Sequence, residues 1–366
     1  MNYQEFQNQI LENIKEYLPE KYADAAVFIQ QVQKNNGVLL EGLSITIPEE
    51  NVSPVIYMNY YYNQYRTGRE LEDILLEIAM LREHSQIAEK IDIREFLDFE
   101  KVKDKIVFKV VGAQSNQEQL QSMPHRIEQD MALVYQILTS KGEEGNGLVT
   151  INNEIQKLMG VSEEVLHDLA LENTEREFPP TFRNLTEVMK EMLQKKFMEE
   201  MMEDVENEEM KEFFETMFEQ QFAEIEENAM PMYVLTNEDL TNGAAVLFYP
   251  QMQEKIAEEL QGNYFVLPSS IHETLIVPDN GELDYPELKA MVNTVNLSEV
   301  ADTDILTGEV YFFDRESREF MIAGDRPQKE AERTKEPSIL EKLQQKVDEK
   351  ATRAGDTIIR KPEMVM

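Results

Sequence analysis

The sequence predicts an α+β protein, with mixed or antiparallel sheets and flanking helices joined by an acidic Met/Glu-rich helical segment. Three observations support this. Short runs rich in β-branched and aromatic residues alternate with stretches whose apolar residues recur every three or four positions. Turn signals, Asn35-Asn36-Gly37 and Asp279-Asn280-Gly281 among them, separate neighbouring runs. Between residues 182 and 225 the composition narrows to Met, Glu and Phe at helical spacing.

Residues 3–18 read as a helix, because Phe6, Ile10, Leu11, Ile14, Tyr17 and Leu18 share one face and Pro19 stops it. Ala25 to Val32 and Val38 to Ile47 form a hairpin across Asn35-Asn36-Gly37, residues that tolerate the positive φ of a tight turn. Pro54 suits the first turn of a helix carrying Tyr57, Tyr60, Tyr61 and Tyr65, tyrosines read as core packing. Leu71, Ile74, Leu75, Ile78 and Leu81 mark the next helix. Ile106 to Val111 (Ile-Val-Phe-Lys-Val-Val) reads as a strand, and Met131 to Leu138 as another or as a short helix. The loop 142–147 leads to an extended Leu148 to Ile151, a second hairpin. Helices follow at Asn153 to Met159 and Ser162 to Leu171, the latter started by Ser162 with Glu163 and Glu164. His167 on that helix reads as a structural histidine.

Pro179-Pro180 marks a boundary. Beyond it, Leu185, Met189, Met192, Met201 and Val205 form one helical stripe, and Met210, Phe213, Phe214, Met217 and Phe222 another. Methionine is unbranched and polarisable, so Met192, Met201, Met210, Phe213 and Met217 are candidate binding residues in an adaptable partner groove. Ordinary helix packing accounts for the same stripe. Strands are expected at Tyr233 to Leu235, Tyr264 to Leu267, Thr274 to Val277 and Glu309 to Phe313. Helices are expected from Ala244, around Met252 to Leu260, and from Pro286 to Val295. Past Gly324 the chain is charged, with one amphipathic helix conceivable over Ser338 to Ala351. The expected division is 1–178 (N-terminal α+β), 179–230 (acidic helical linker or insertion), 231–323 (C-terminal α+β) and 324–366 (tail).

The 366 residues are 42% hydrophobic, enough for ordinary cores, and contain no cysteine. Disulfides, a thiolate nucleophile and a zinc–thiolate site are therefore excluded. No apolar run approaches the roughly 18 residues of a membrane span, and Met1-Asn2-Tyr3-Gln4-Glu5 does not open a basic-then-apolar leader. A cytoplasmic location is the expectation. The net charge is −37, and residues 181–230 alone carry 15 acids against 5 bases. Such a surface repels phosphate backbones and anionic lipid, so neither direct nucleic-acid binding by the body nor membrane binding is expected. The acids serve solubility, or they engage a basic partner, in the limit by imitating DNA.

The densest chemistry lies at Pro268-Ser269-Ser270-Ile271-His272-Glu273, between two β-like runs. In an extended segment Ser270 and His272 face one side, where a serine beside an imidazole could support acyl transfer. Glu273 then faces away, and no Gly-x-Ser-x-Gly elbow is present. Against a catalytic role for Ser269, Ser270, His272 and Glu273 stands the common use of turn hydroxyls to satisfy the backbone. No metal and no cofactor is expected. His84, His125, His167 and His272 lie far apart, and Ile276 stands where a second zinc histidine would follow His272-Glu273. Asp279, Glu282, Asp284, Asp302 and Asp304 could gather around calcium, but they follow no EF-hand pattern and read as a solvated acidic rim.

Three groups of residues carry a family resemblance: Tyr233-Val234-Leu235-Thr236-Asn237, Asn242-Gly243-Ala244-Ala245, and Leu267-Pro268-Ser269-Ser270-Ile271-His272-Glu273. With Asp130-Met131-Ala132-Leu133-Val134-Tyr135 and Val161-Ser162-Glu163-Glu164, they resemble the bacterial domain-of-unknown-function family numbered five-six-eight-eight, common in anaerobic Gram-positive bacteria. The likeness extends to about residue 322 and weakens at 194–225. The segment Lys335-Glu336-Pro337-Ser338-Ile339-Leu340-Glu341-Lys342-Leu343 is similar to tails of conjugative-element proteins, which implies a mobile-element setting. The resemblance implies no activity. The leading expectation is a non-enzymatic protein-binding or accessory factor. The alternatives are a DNA-mimic inhibitor of a basic DNA-binding protein and a hydrolase-like enzyme at the Ser-Ser-Ile-His-Glu turn.

Overall fold

The hairpin expected from Asn35-Asn36-Gly37 forms β1 (Ala26–Gln33) and β2 (Leu39–Thr46), antiparallel with Ala26 opposite Thr46 and Gln33 opposite Leu39. Asn36 and Gly37 both take positive φ, 61° and 70°, as the reversal requires. This computed structural model describes residues 1–48, 50, 53–85, 96–142, 145–201, 216–219, 222–223 and 229–326. Met1–Asp325 cluster as one compact unit; the helix expected over Ser338 to Ala351 lies outside the described residues.

The hairpin is extended by β3 (Val55–Tyr57), which pairs with β2. Pro54 therefore precedes a strand, and the tyrosine helix starts later than the spacing indicates. Helices α1 (Tyr3–Tyr17), α2 (Met58–Arg66) and α3 (Leu71–His84) pack with this sheet around a core containing Phe6, Ile10, Ile14, Leu43, Ile45, Ile74 and Ile78. Asn2 and Glu5 close a capping box at the start of α1. Of the tyrosines, Tyr61 is buried in this core, Tyr65 packs against it, and Tyr60 faces solvent.

The second sheet contains β4 (Ile106–Gly112), β5 (His125–Glu128), β6 (Met131–Gly142) and β7 (Gly145–Thr150). One edge of β6 takes β4, and β5 and β7 follow each other along its other edge. Met131 to Leu138 is thus strand throughout. Short helices α4 (Phe99–Val102) and α5 (Gln117–Leu120) flank the sheet, followed by α6 (Asn153–Met159) and α7 (Glu163–Glu177). Asn152 caps α6 and Ser162 caps α7 through their side-chain oxygens.

Six antiparallel strands make the third sheet. Next along the chain come β8 (Pro180–Asn184), α8 (Leu185–Met201), β9 (Tyr233–Asn237) and α9 (Met252–Glu259). They are followed by β10 (Tyr264–Pro268), β11 (Thr274–Pro278), α10 (Tyr285–Ser298), β12 (Tyr311–Asp314) and β13 (Glu319–Ile322). The strand order is β13-β12-β10-β11-β9-β8. Residues from Phe182 were expected to be helical, but 180–184 pair with Asn237 back to Tyr233. Tertiary pairing overrides local spacing there, and Pro180 is tolerated because it opens an edge strand.

The two larger sheets share the main core. Phe108, Val110, Leu133 and Tyr135 of the second sheet meet Leu235, Tyr264, Val266, Ile276, Tyr311 and Phe313 of the third, with the 3-10 turn Gly243–Phe248 packed among them. Strand side chains alternate, so Phe265, Leu267, Val277 and Phe312 point the other way, onto Leu288 and Val292 of α10. Side chains on both flanks of the 179–230 stretch thus enter one core. Among the described residues no helix is long and apolar enough to cross a membrane.

Candidate functional site

The Ser-Ser-Ile-His-Glu segment is the connection between β10 and β11, and hydrogen bonds within it fix its shape. Ser270 Oγ accepts from the His272 N–H at 3.0 Å, Ser269 Oγ donates to Glu273 Oε1 at 3.2 Å, and the Ser270 N–H donates to the Glu273 carbonyl at 3.2 Å. The segment is folded back, so the strand alternation that would set Ser270 beside the imidazole does not apply. His272 Nδ1 accepts from the Asn242 N–H at 3.2 Å, which leaves its proton on Nε2, 3.8 Å from Asp304 Oδ2. The Thr236 hydroxyl donates to the His272 carbonyl and the Ala244 N–H to the Ile271 carbonyl, so three elements hold the turn in place. The acid beside His272 is therefore Asp304, 32 residues away in sequence, and not Glu273. Among the described residues, no group of three or more histidines or acids is placed to hold a metal ion.

The helical candidates are only partly described. Met210 and Phe213 lie outside the described residues, as does the side chain of Met201. Met192 sits on α8 and is 68% exposed, with Met189 at 47% and Leu193 at 46% beside it; Met217 is 38% exposed. None of residues 185–196 is buried, so this length of α8 presents its apolar side to solvent. Asn184 accepts from the Thr186 N–H at 2.8 Å at the start of the helix, Arg183 holds Glu191 through Nη1 and Nη2, and Lys190 pairs with Glu219 at 2.8 Å. Helix α8 is thus anchored at its start by β8 and its polar pairs, while Met189 and Met192 stay exposed.

A cleft of ≈ 710 Å³ lies between the hairpin and the outer face of the second sheet. Lys109 and Val111 of β4 and Val134 of β6 form its floor, because residues two apart on a strand share a face. Lys34 and Asn35 at the hairpin tip, Tyr57, and Gln119 and Leu120 of α5 form its walls, with Asp304 at one side. Lys34 Nζ lies 4.5 Å from the Tyr57 ring centre, and Lys109 Nζ donates to Asn35 Oδ1 at 3.3 Å. Burial, with the nearby Lys34 charge, pushes the Lys109 ammonium below the usual lysine range. The hairpin tip is held firmly against this cleft. Asn36 Nδ2 donates to the carbonyls of Asp302 and Ile305, both at 2.8 Å, and its Oδ1 accepts from Ser115 Oγ and Asn116 Nδ2.

A family model matches residues 3–315: the family of unknown function DUF5688. The chain belongs to this family. Searches of curated proteins and of solved structures return no match. The span matched to DUF5688 takes in the folded turn at 269–273, the start of α8 and every wall of the cleft. Strand β13 and the tail lie beyond it. Sequence reasoning named the turn and the methionines but missed the cleft. The available signal was Lys109, a charged residue inside the apolar run Ile106 to Val111.

Proposed function

We propose that this DUF5688 member is a non-enzymatic protein-binding or accessory factor that meets a basic partner on the outer face of α8. One observation carries the reading: Met189, Met192 and Leu193 form an exposed apolar strip on a helix with no buried residue between 185 and 196. Flexible thioethers adapt to varied partner surfaces, and an apolar strip seats in a complementary groove. The surrounding stretch, with 15 acids against 5 bases over 181–230, selects for a partner whose groove is rimmed by Lys or Arg. A mobile-element setting, suggested by the tail, is compatible with this role.

The test is affinity capture from the native host with wild type and with the Met192→Glu/Leu193→Glu double variant. Both positions are exposed, so the thermal midpoint is expected to stay unchanged while basic captured proteins are lost. An identical bound set for the two proteins would overturn the α8 assignment. Displacement of the captured protein by duplex DNA would support the DNA-mimic reading instead.

A further inference from the structure

The cleft under the hairpin tip gathers positive charge in a chain whose net charge is −37. Its charged lining is Lys34, Lys109 and Asp304. Asp304 is turned to other partners: one oxygen lies 3.8 Å from His272 Nε2 and the other accepts from the Thr303 hydroxyl at 3.0 Å. Among the described residues, the Lys109 ammonium meets the neutral Asn35 amide and the Lys34 ammonium meets the Tyr57 ring. Neither forms an ion pair with a described carboxylate. A half-buried ammonium without a counter-charge is costly and is retained where something compensates for it. The rest of the lining is divided in character. Val111, Leu120, Met123 and Val134 are apolar, and Ser122 and Thr150 supply hydroxyls.

We propose that this cleft binds a small organic anion, its carboxylate or phosphate head between Lys34 and Lys109 and its apolar body on Val111, Leu120, Met123 and Val134. Lysine presents its charge as a compact point with freely turning donors, which suits either head group. The apolar floor adds burial of the ligand's body, and mixed linings of this kind are typical of small-molecule sites. The site stands apart from α8, and its test is independent of partner capture.

The experiment follows lysine side-chain NMR signals of the full chain, after isotopic methylation, during titration with hexanoate, hexyl phosphate, inorganic phosphate and neutral hexanamide. Hexanoate, hexyl phosphate or both are expected to shift the Lys109 signal and raise its titration midpoint, and whichever binds identifies the head group. Hexanamide is expected not to bind, and inorganic phosphate to bind more weakly than hexyl phosphate. Lys109→Met and Lys34→Met should each weaken binding by about tenfold or more, the scale of one charge-assisted hydrogen bond. Lys105→Met, at an exposed position outside the cleft, should change nothing. Lys109→Met should also melt no lower than wild type, because it removes a half-buried charge and keeps the stem; should it fail to fold, Lys34→Met still decides the matter. Undiminished binding in the Lys34 variant, hexanamide binding as tightly as the anions, or no anion moving the Lys109 signal would overturn the proposal.

Discussion

Arg82 shows how one side chain can tie separate elements together. It is fully buried on α3, donates from Nε to the Ile45 carbonyl at 2.9 Å and from Nη1 to the Tyr22 hydroxyl at 3.2 Å, and pairs with Glu50 through Nη2. Its guanidinium also lies 4.9 Å from the Tyr22 ring centre. Truncation would leave the largely buried Glu50 carboxylate without its guanidinium partner, and the Ile45 carbonyl with the Ser53 hydroxyl as its side-chain donor. Arg82→Ala should therefore lower the unfolding free energy by about 3–5 kcal/mol, the usual cost of removing one partner of a buried ion pair. Arg82→Lys keeps the charge but not the three-way fork, and should fall between. Denaturant unfolding decides it, and a loss for Arg82→Ala inside about 1 kcal/mol, the scale of an exposed pair, would refute this role. Nothing in the spacing of α3 marks Arg82, because its partners lie 37, 60 and 32 residues away. Lys109 is different: a lysine in an apolar strand is visible in the sequence, and only its surroundings are not.

At the scale of elements, what could be read from the sequence was whatever local chemistry decides. Positive-φ turn residues located the β1–β2 hairpin, and Ser162 before two glutamates located the start of α7. Strands β3, β5, β8 and β13 were missed because each is short and gains its stability from a neighbour, β2, β6, β9 or β12. The hairpin itself was evident, but not what its tip grips. Asn36 supplies the left-handed conformation and also four side-chain hydrogen bonds to residues about 80 and 270 positions away, far beyond any local pattern. Asn36→Gly separates the two roles, since glycine keeps φ = 61° without strain and deletes the bonds. The variant should lose about 2–4 kcal/mol, several bonds at roughly 1 kcal/mol each. Amide exchange should quicken in β1 and β2 more than in β4 and β6. Equal protection loss in all four strands would mean that the tip does not act as a clasp.

Across the whole molecule, charge should act with opposite signs on folding and on the recognition proposed above. A chain at −37 repels itself in the folded state more than in the expanded one, because compaction brings like charges closer. Salt shortens the reach of that repulsion, from about 30 Å at 0.01 M to about 8 Å at 0.15 M ionic strength. The thermal midpoint should therefore rise as sodium chloride is added over this range. The recognition of a basic partner proposed for α8 would depend on the same field as an attraction, so the captured complex should weaken over the same range. Generic salt stabilisation would move both measurements upward together, and a purely apolar contact would leave capture level or strengthen it. A midpoint that rises while capture falls is the pattern expected if the acids of 181–230 serve a partner as well as solubility. A flat or falling midpoint would show instead that the acidic surface is already balanced locally, as the Arg183–Glu191 and Lys190–Glu219 pairs at α8 illustrate on a small scale.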